Sequence, residues 1–426
     1  MKTLIKNSTL VSMNPLKDKI EYNKDILIED DKIIKIEENI NDNVDKIIDA
    51  SNKVVMPGLI NTHAHIPMSV FRETLDGYTL QEWMRQKIWP MEDKLTNDDI
   101  YYASYLSFIE MIKTGTTTVN DMYFMTDSII KAMKDTGIRL QTTRTLMNLN
   151  SSFDKMNELK ELIKNYKDKY ENLTFNVGIH GLYTSTSDYV DKCIEFAKES
   201  NLPIHMHFCE NKEEVEDIKN IQGKNPTDVL KEKFNNHKMI LAHCVKLTEE
   251  DINKMKDMNI SISHCPVSNL KLGCGIAKIK YMQDVGINVT LGTDGQGSGS
   301  NLDLFETMKY TALLQKGITE DPRNLRAYDV LKMATINGAK ALGLDNKIGT
   351  IEEGKLADII IIDINDVKIK PVNDLISQIV YNVKGNNVET TIVNGKILME
   401  NHKLNNIEEQ SIYNECEQII NRIAIK

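Results

Sequence analysis

The chain has 426 residues, 41% of them hydrophobic, with a formal net charge of −10 and a pI near 5.5. That length exceeds one small core and suits a barrel of roughly 250 residues with an accessory domain. The acidic balance leaves no basic stripe for a phosphate backbone, which excludes nucleic acid as the expected partner but leaves open nucleosides, which carry no phosphate.

Residues 1–10 hold no apolar core of the secretory kind, and no run of about 18 apolar residues occurs, so a cytoplasmic protein without a membrane partner is expected. The six cysteines form no C-x-x-C pair and read as reduced thiols. Only seven of the 52 basic residues are Arg, so an Arg in a pocket stands out.

Residues 1–55 alternate apolar and polar with period two, as in Asp25 to Glu29 and Lys32 to Glu37, and predict a meander of short strands. From Val54 the pattern changes. Short β-rich runs at 54–60, 116–120, 139–145, 175–179, 203–207, 239–242, 260–263 and 288–293 alternate with helical stretches such as 97–113 and 187–200. Eight such units in series predict an α/β fold, a (β/α)8 TIM-type barrel over 56–344. After Leu344 strand patterns return, at Lys355 to Asp363 and from Val388 through Asn394-Gly395 to Ile397. The two ends, 1–55 and 345–426, are expected to build one small β-sandwich domain, because neither closes a good core alone. A terminal helix is predicted over 407–425.

The chemistry lies in the histidines. Seven of the nine (His63, His65, His180, His205, His207, His243 and His264) fall at or just past the C-terminal ends of predicted strands. In a barrel those ends converge on the face that carries active sites. His63 and His65, two apart on an extended chain, point the same way, which is chelate geometry suited to Zn or Fe. Strand five offers His205 and His207 on one face. His207, nearer the strand end, is the expected ligand, with His205 as the alternative. Asp294 follows strand eight, where it can complete the coordination and accept the proton of the attacking water. His243 ends strand six and could hold that water without binding the metal.

The run Pro57-Gly-Leu-Ile-Asn-Thr-His63-Ala-His65, then Trp89-Pro-Met-Glu92, His207 with Glu210, Leu241-Ala-His243-Cys, His264-Cys-Pro-Val-Ser-Asn-Leu-Lys and Gly292-Thr-Asp294-Gly together resemble the amidohydrolase superfamily. Within it the chain looks like the 5′-methylthioadenosine/S-adenosylhomocysteine deaminases, over nearly its whole length, including Ile348-Gly-Thr-Ile-Glu-Glu-Gly-Lys-Leu-Ala-Asp. The resemblance implies that His63, His65, His207 and Asp294 bind one divalent metal, most simply Zn with Fe as the alternative. It further implies that Glu210 shuttles a proton to the purine, that His243 assists the hydrolytic water, and that Glu92, Arg144 and His180 face the substrate. Strand four ends Gly178-Ile-His180-Gly without the Lys that two-metal members carry there, so a single ion is expected. The expected reaction converts the adenine of 5′-methylthioadenosine, S-adenosylhomocysteine, 5′-deoxyadenosine or adenosine to hypoxanthine with release of ammonia. Barrels of this kind are commonly homo-oligomers, which is the expected assembly.

The chain departs from the resemblance where the 5′ group should lie. No Arg occurs between Thr145 and Tyr170, where relatives that accept S-adenosylhomocysteine tend to carry a second one, and the segment around His180 lacks the usual prolines. The H-x-E…P-C-x-x-C signature of cytidine-type zinc deaminases is absent. Two other readings follow from the same residues. One is a different hydrolase on this scaffold, such as a guanine deaminase or an s-triazine hydrolase, because fold and metal set do not fix the substrate. The other is a non-catalytic scaffold, which would have no use for four ligands together with Glu210 and His243.

Overall fold

A computed structural model describes residues 1–74, 76–149, 155–234 and 237–424. Its parallel strands run Leu59–Ala64, Thr116–Asp121, Arg139–Thr142 and Leu173–Phe175 in one four-stranded sheet. Val177–Ile179, Ile204–Phe208, Met239–His243, Ile260–His264 and Asn288–Leu291 form a second sheet of five. Only Asn176 separates the last strand of the first sheet from the first strand of the second. At the opposite side, the amides of Thr293 and Asp294 donate to the carbonyl of His63 at 3.2 and 3.1 Å. Strands such as Leu59–Ala64, Ile204–Phe208 and Met239–His243 are buried at every position, as parallel strands covered by helices on one face and packed side chains on the other must be.

The predicted helices appear as Asn97–Lys113 and Ser187–Ser200. Thr96 starts the first with a capping box to Asp99, and Asn201, in the left-handed region at φ 52°, ends the second. Val190, Cys193, Ile194 and Ala197 form the buried face of the second.

A third sheet has nine strands drawn from both chain ends. Its centre is the antiparallel pair Ile359–Asp363 with Lys53–Pro57, in register Ile360 to Met56, which brings C-terminal and N-terminal segments together. Ile5, Ile26, Ile28, Val55, Ile359, Ile361 and Ile392 form a separate apolar cluster within it.

Several boundaries differ from the sequence reading, among them the run 175–179, which divides at Asn176, and 139–145, whose strand ends at Thr142. The run 54–60 divides at Gly58: Lys53–Pro57 joins the terminal sheet and Leu59–Ala64 begins the parallel series. Pro57 lacks a ladder N–H, and Gly58 lies so close to Thr117 that a Cβ there would stand 2.1 Å from its side chain. The run from Val388 to Ile397 is a hairpin, Val388–Val393 with Lys396–Glu400, turned at Asn394-Gly395, both at positive φ. The terminal helix is Glu409–Ile423, and its predicted last residue, Ile425, lies outside the described residues. Among the described residues no helix is long and apolar enough to cross a membrane.

Candidate active site and metal centre

The ends of these strands gather the predicted ligands. The ligating atoms of His63, His65 and His207 lie within 4.8 Å of one another, as do those of His63, His243 and Asp294. Asp294 Oδ1 is 3.4 Å from Nε2 of His63 and 3.1 Å from Nε2 of His65. Gly292 permits this approach, because a Cβ there would stand 2.9 Å from the Cβ of His63 and 2.6 Å from the hydroxyl of Ser263.

The orientation of each ring follows from its outer nitrogen. His65 Nδ1 lies 2.6 Å from the carbonyl of Met122, and His207 Nδ1 2.7 Å from the carbonyl of His180. A carbonyl only accepts, so both Nδ1 atoms carry a proton, and in the neutral rings both Nε2 atoms present lone pairs; against the lowering by burial, Asp294 raises the His65 pKa to about 9, so its Nε2 holds a proton that a metal ion would displace. Those two Nε2 atoms face each other at 3.2 Å. Two nitrogens held in that relation share a cation, either a proton or a metal ion. Nε2 of His63 is buried without a hydrogen-bond partner. Two imidazoles with Nε2 turned toward each other, a third aimed at the same point and a carboxylate oxygen form the donor set of a divalent transition-metal ion. The set fits.

The other oxygen of Asp294, Oδ2, accepts from the hydroxyls of Ser268 and Ser298 at 2.6 and 2.7 Å. Those bonds leave Oδ1 turned toward the histidines. His243 sits at φ 72°, and Asn269 Oδ1 lies 2.8 Å from its Nδ1. Glu210 Oε1 is 3.8 Å from that same Nδ1. The Glu210 carboxyl is 6% exposed, and burial holds its pKa above the ordinary glutamate value against the pull of His243. A carboxyl raised in this way holds its proton to higher pH than an ordinary glutamate, the direction a proton donor requires.

Glu92, His180 and Arg144 occupy three different situations. Glu92 accepts from the hydroxyl of Tyr123 at 2.5 Å, and the Tyr123 ring lies 6.4 Å from that of His65. Burial pushes the Glu92 carboxyl up to about 7. His180 is 4.9 Å from the His207 ring, with Nδ1 3.1 Å from the Thr184 hydroxyl, and burial lowers its pKa to about 4, so it is neutral. Arg144 is engaged elsewhere: Nε donates to Glu158 at 2.5 Å and Nη1 to the carbonyl of Thr145 at 3.0 Å. Its guanidinium reaches a substrate only by sharing or opening the Glu158 pair. His205 uses both ring nitrogens between the strands, on His63 and Asn120.

Ser268, Ser298, Asn269 and Tyr123 were not singled out from the sequence as site residues. Ser268 and Asn269 lie within the run begun by His264, so their nearness to the strand end was the available signal. Ser298 and Tyr123 carry no local signature.

Residues 54–398 match the model of the amidohydrolase family. A protein of Caldanaerobacter subterraneus subsp. tengcongensis named 5-methylthioadenosine/S-adenosylhomocysteine deaminase is 40% identical over 98% of each chain. A 5′-deoxyadenosine deaminase of Methanocaldococcus jannaschii is 41% identical over 93% of this chain and 96% of its own. Among solved structures, an adenosine deaminase from Xanthomonas campestris with bound zinc superposes with a TM-score of 0.95 at 26% identity, covering 99% of this chain and 98% of that one.

Proposed function

The chain belongs to the amidohydrolase family, and from that premise we propose that it is a hydrolytic deaminase of 5′-substituted adenosines, using one divalent ion, most simply Zn, held by His63, His65, His207 and Asp294. The observation that carries the metal site is the pair of facing Nε2 atoms of His65 and His207 at 3.2 Å. The relatives named as deaminases of methylthioadenosine, S-adenosylhomocysteine and 5′-deoxyadenosine carry the substrate class. When bound, the ion supplies Lewis-acid activation, bringing the pKa of a water close to about 7.

The remaining work falls to the side chains. Addition of water to C6 of the adenine breaks the aromaticity of that ring unless the neighbouring ring nitrogen is protonated, and Glu210, buried and raised in pKa, delivers that proton. Asp294, its Oδ2 held by two serine hydroxyls, takes the water proton on Oδ1. His243, fixed by Asn269, orients the water. Asp294 passes its proton to the departing amine as the adduct's hydroxyl proton returns to Glu210, so that collapse expels ammonia and leaves the hypoxanthine. Glu92 accepts from ribose hydroxyls, with His180 and Arg144 toward the 5′ side.

The two parallel sheets are read as one closed (β/α)8 barrel. Support comes from the single-residue gap at Asn176 and from the bonds of Thr293 and Asp294 to His63. The nine-stranded sheet is read as the accessory sandwich, and Gly58 as the point where the chain passes into the barrel. The test of function is direct: purified protein is given 5′-methylthioadenosine, and ammonia and the hypoxanthine product are measured. Turnover of guanine or a triazine with none of an adenosine would assign the scaffold to another hydrolase.

A further inference from the structure

The helix Lys212–Gln222 follows the strand Ile204–Phe208 closely, and Asn211 caps it by accepting from the amide of Glu214 at 2.9 Å. In an ordinary capping box the third helical residue returns the favour to the amide of the cap itself. Glu214 holds that third position but reaches further back. Its Oε1 accepts from the amide of Cys209 at 2.8 Å and its Oε2 from the amide of Glu210 at 2.7 Å.

This is a costly place for a carboxyl group. Glu214 is 3% exposed, and among the described residues no Lys or Arg pairs with it. Burial, with Glu210 nearby, pushes it up to about 7. Two hydrogen bonds from backbone amides offset part of the desolvation. Both amides belong to the turn that carries Glu210. Cys209 stands at φ 52°, a left-handed conformation that a side-chain-bearing residue keeps only when its surroundings hold it. Glu210 then hangs from a backbone clamped on consecutive amides, with its carboxyl 3.8 Å from His243 Nδ1 and 3.9 Å from the thiol of Cys274.

We infer that Glu214 is a positioning residue for Glu210, its carboxylate locking the 209–210 turn so that the Glu210 carboxyl meets the substrate ring at the right distance. The inference rests on the proposed role of Glu210 as the proton carrier. A Gln at position 214 keeps one acceptor but sets its NH2 against a backbone N–H, donor against donor, so the turn loses one of its two anchors. A displacement of about 1 Å at a reacting group costs about 100-fold in rate.

The experiment is a double-mutant cycle on the full, metal-loaded chain. Glu214→Gln and Glu214→Asp are each made in the wild-type and Glu210→Gln backgrounds, and kcat, KM, metal content and thermal melting are measured with 5′-methylthioadenosine. In the wild-type background kcat is expected to fall about 10- to 100-fold, with KM within about threefold and metal content unchanged. In the Glu210→Gln background the same change should cost less than about threefold, because nothing remains to be positioned. Glu214→Asp, which keeps both oxygens one methylene shorter, carries the reading if the Gln protein does not fold. A wild-type kcat, or an equal loss in both backgrounds, overturns the inference, and so does failure of both variants to fold, which would make Glu214 a fold residue. If Glu210→Gln cripples turnover while the Glu214 variants do not, only this inference fails. If Glu210→Gln is itself near normal, the proton-carrier reading fails and takes this one with it.

Discussion

Nε2 of His205 lies 2.9 Å from Nδ1 of His63, and Nδ1 of His205 lies 3.1 Å from Nδ2 of Asn120. Asn120 in turn donates to the carbonyl of Thr62 at 2.9 Å and accepts from Asn176 Nδ2 at 2.8 Å. This chain of buried groups holds the His63 ring with Nε2 toward the other ligands. Both ring nitrogens of His205 are thereby engaged, which favours the proposal of His207 as the ligand. In this chain Asn120 donates to His205 and His205 to His63, and partners that fix the orientation of a ligating ring are worth about 10- to 100-fold in metal affinity. His205→Leu is therefore expected to weaken zinc binding by that factor in chelator competition, with the protein still folded by circular dichroism. Unchanged affinity would mean that His63 is oriented without it.

Glu210→Gln should keep its metal and lose at least about 100-fold in kcat, the lower end for removal of a general acid. Elemental analysis and steady-state kinetics on the same preparation separate the two effects. A variant that lost metal along with activity would place Glu210 in the coordination set instead.

Arg139 makes a bidentate pair with Asp358, its Nε and Nη2 donating at 2.9 Å each, and Nη2 also donates to Asn394. The side chains are 5% and 2% exposed. The pair joins the parallel strand Arg139–Thr142 to the terminal sheet. Removing one partner leaves a buried charge uncompensated, so Arg139→Ala is expected to cost about 3–5 kcal/mol in urea denaturation. A change below about 1 kcal/mol would show that water replaces the guanidinium there.

The positions of the histidines proposed to hold the metal were legible because each stands at the end of a β-rich run, and the ends of neighbouring parallel strands lie together in space. The two helices 97–113 and 187–200 were legible as the helical stretches between β-rich runs. What the sequence hid depends on contacts between distant segments. The 54–60 run reads as one strand, and its distant partners reveal that its two halves serve different sheets, Lys53–Pro57 pairing with Ile359–Asp363 and Leu59–Ala64 with Thr116–Asp121. Arg144 shows the same limit. Its place at a strand end is readable, but the Glu158 carboxylate that engages it lies 14 residues on, in a helix of its own.

That engagement bears on specificity. With Arg144 paired to Glu158 and no other Arg between Thr145 and Tyr170, a carboxylate on the 5′ group meets at best Lys155, a point charge that cannot make a bidentate fork. Substrates with neutral 5′ groups, namely 5′-methylthioadenosine, 5′-deoxyadenosine and adenosine, are expected to exceed S-adenosylhomocysteine in kcat/KM by about ten- to a hundredfold, the value of roughly 1.5–3 kcal/mol for a charge-assisted pair. The four nucleosides compared side by side decide it. S-adenosylhomocysteine as the best substrate would mean that another cation meets its carboxylate.

The most direct test of the account couples metal to reaction in one protein. Purified chain is analysed for metal, assayed with 5′-methylthioadenosine by the ultraviolet change from adenine to hypoxanthine, stripped by a chelator, and assayed again before and after zinc is restored. The same series is run on His63→Ala and Asp294→Ala. Close to one divalent ion per chain is expected, with deamination that disappears on stripping and returns with zinc, and with two variants that hold neither metal nor activity. Full deamination after exhaustive chelation, or two ions per chain, would contradict it.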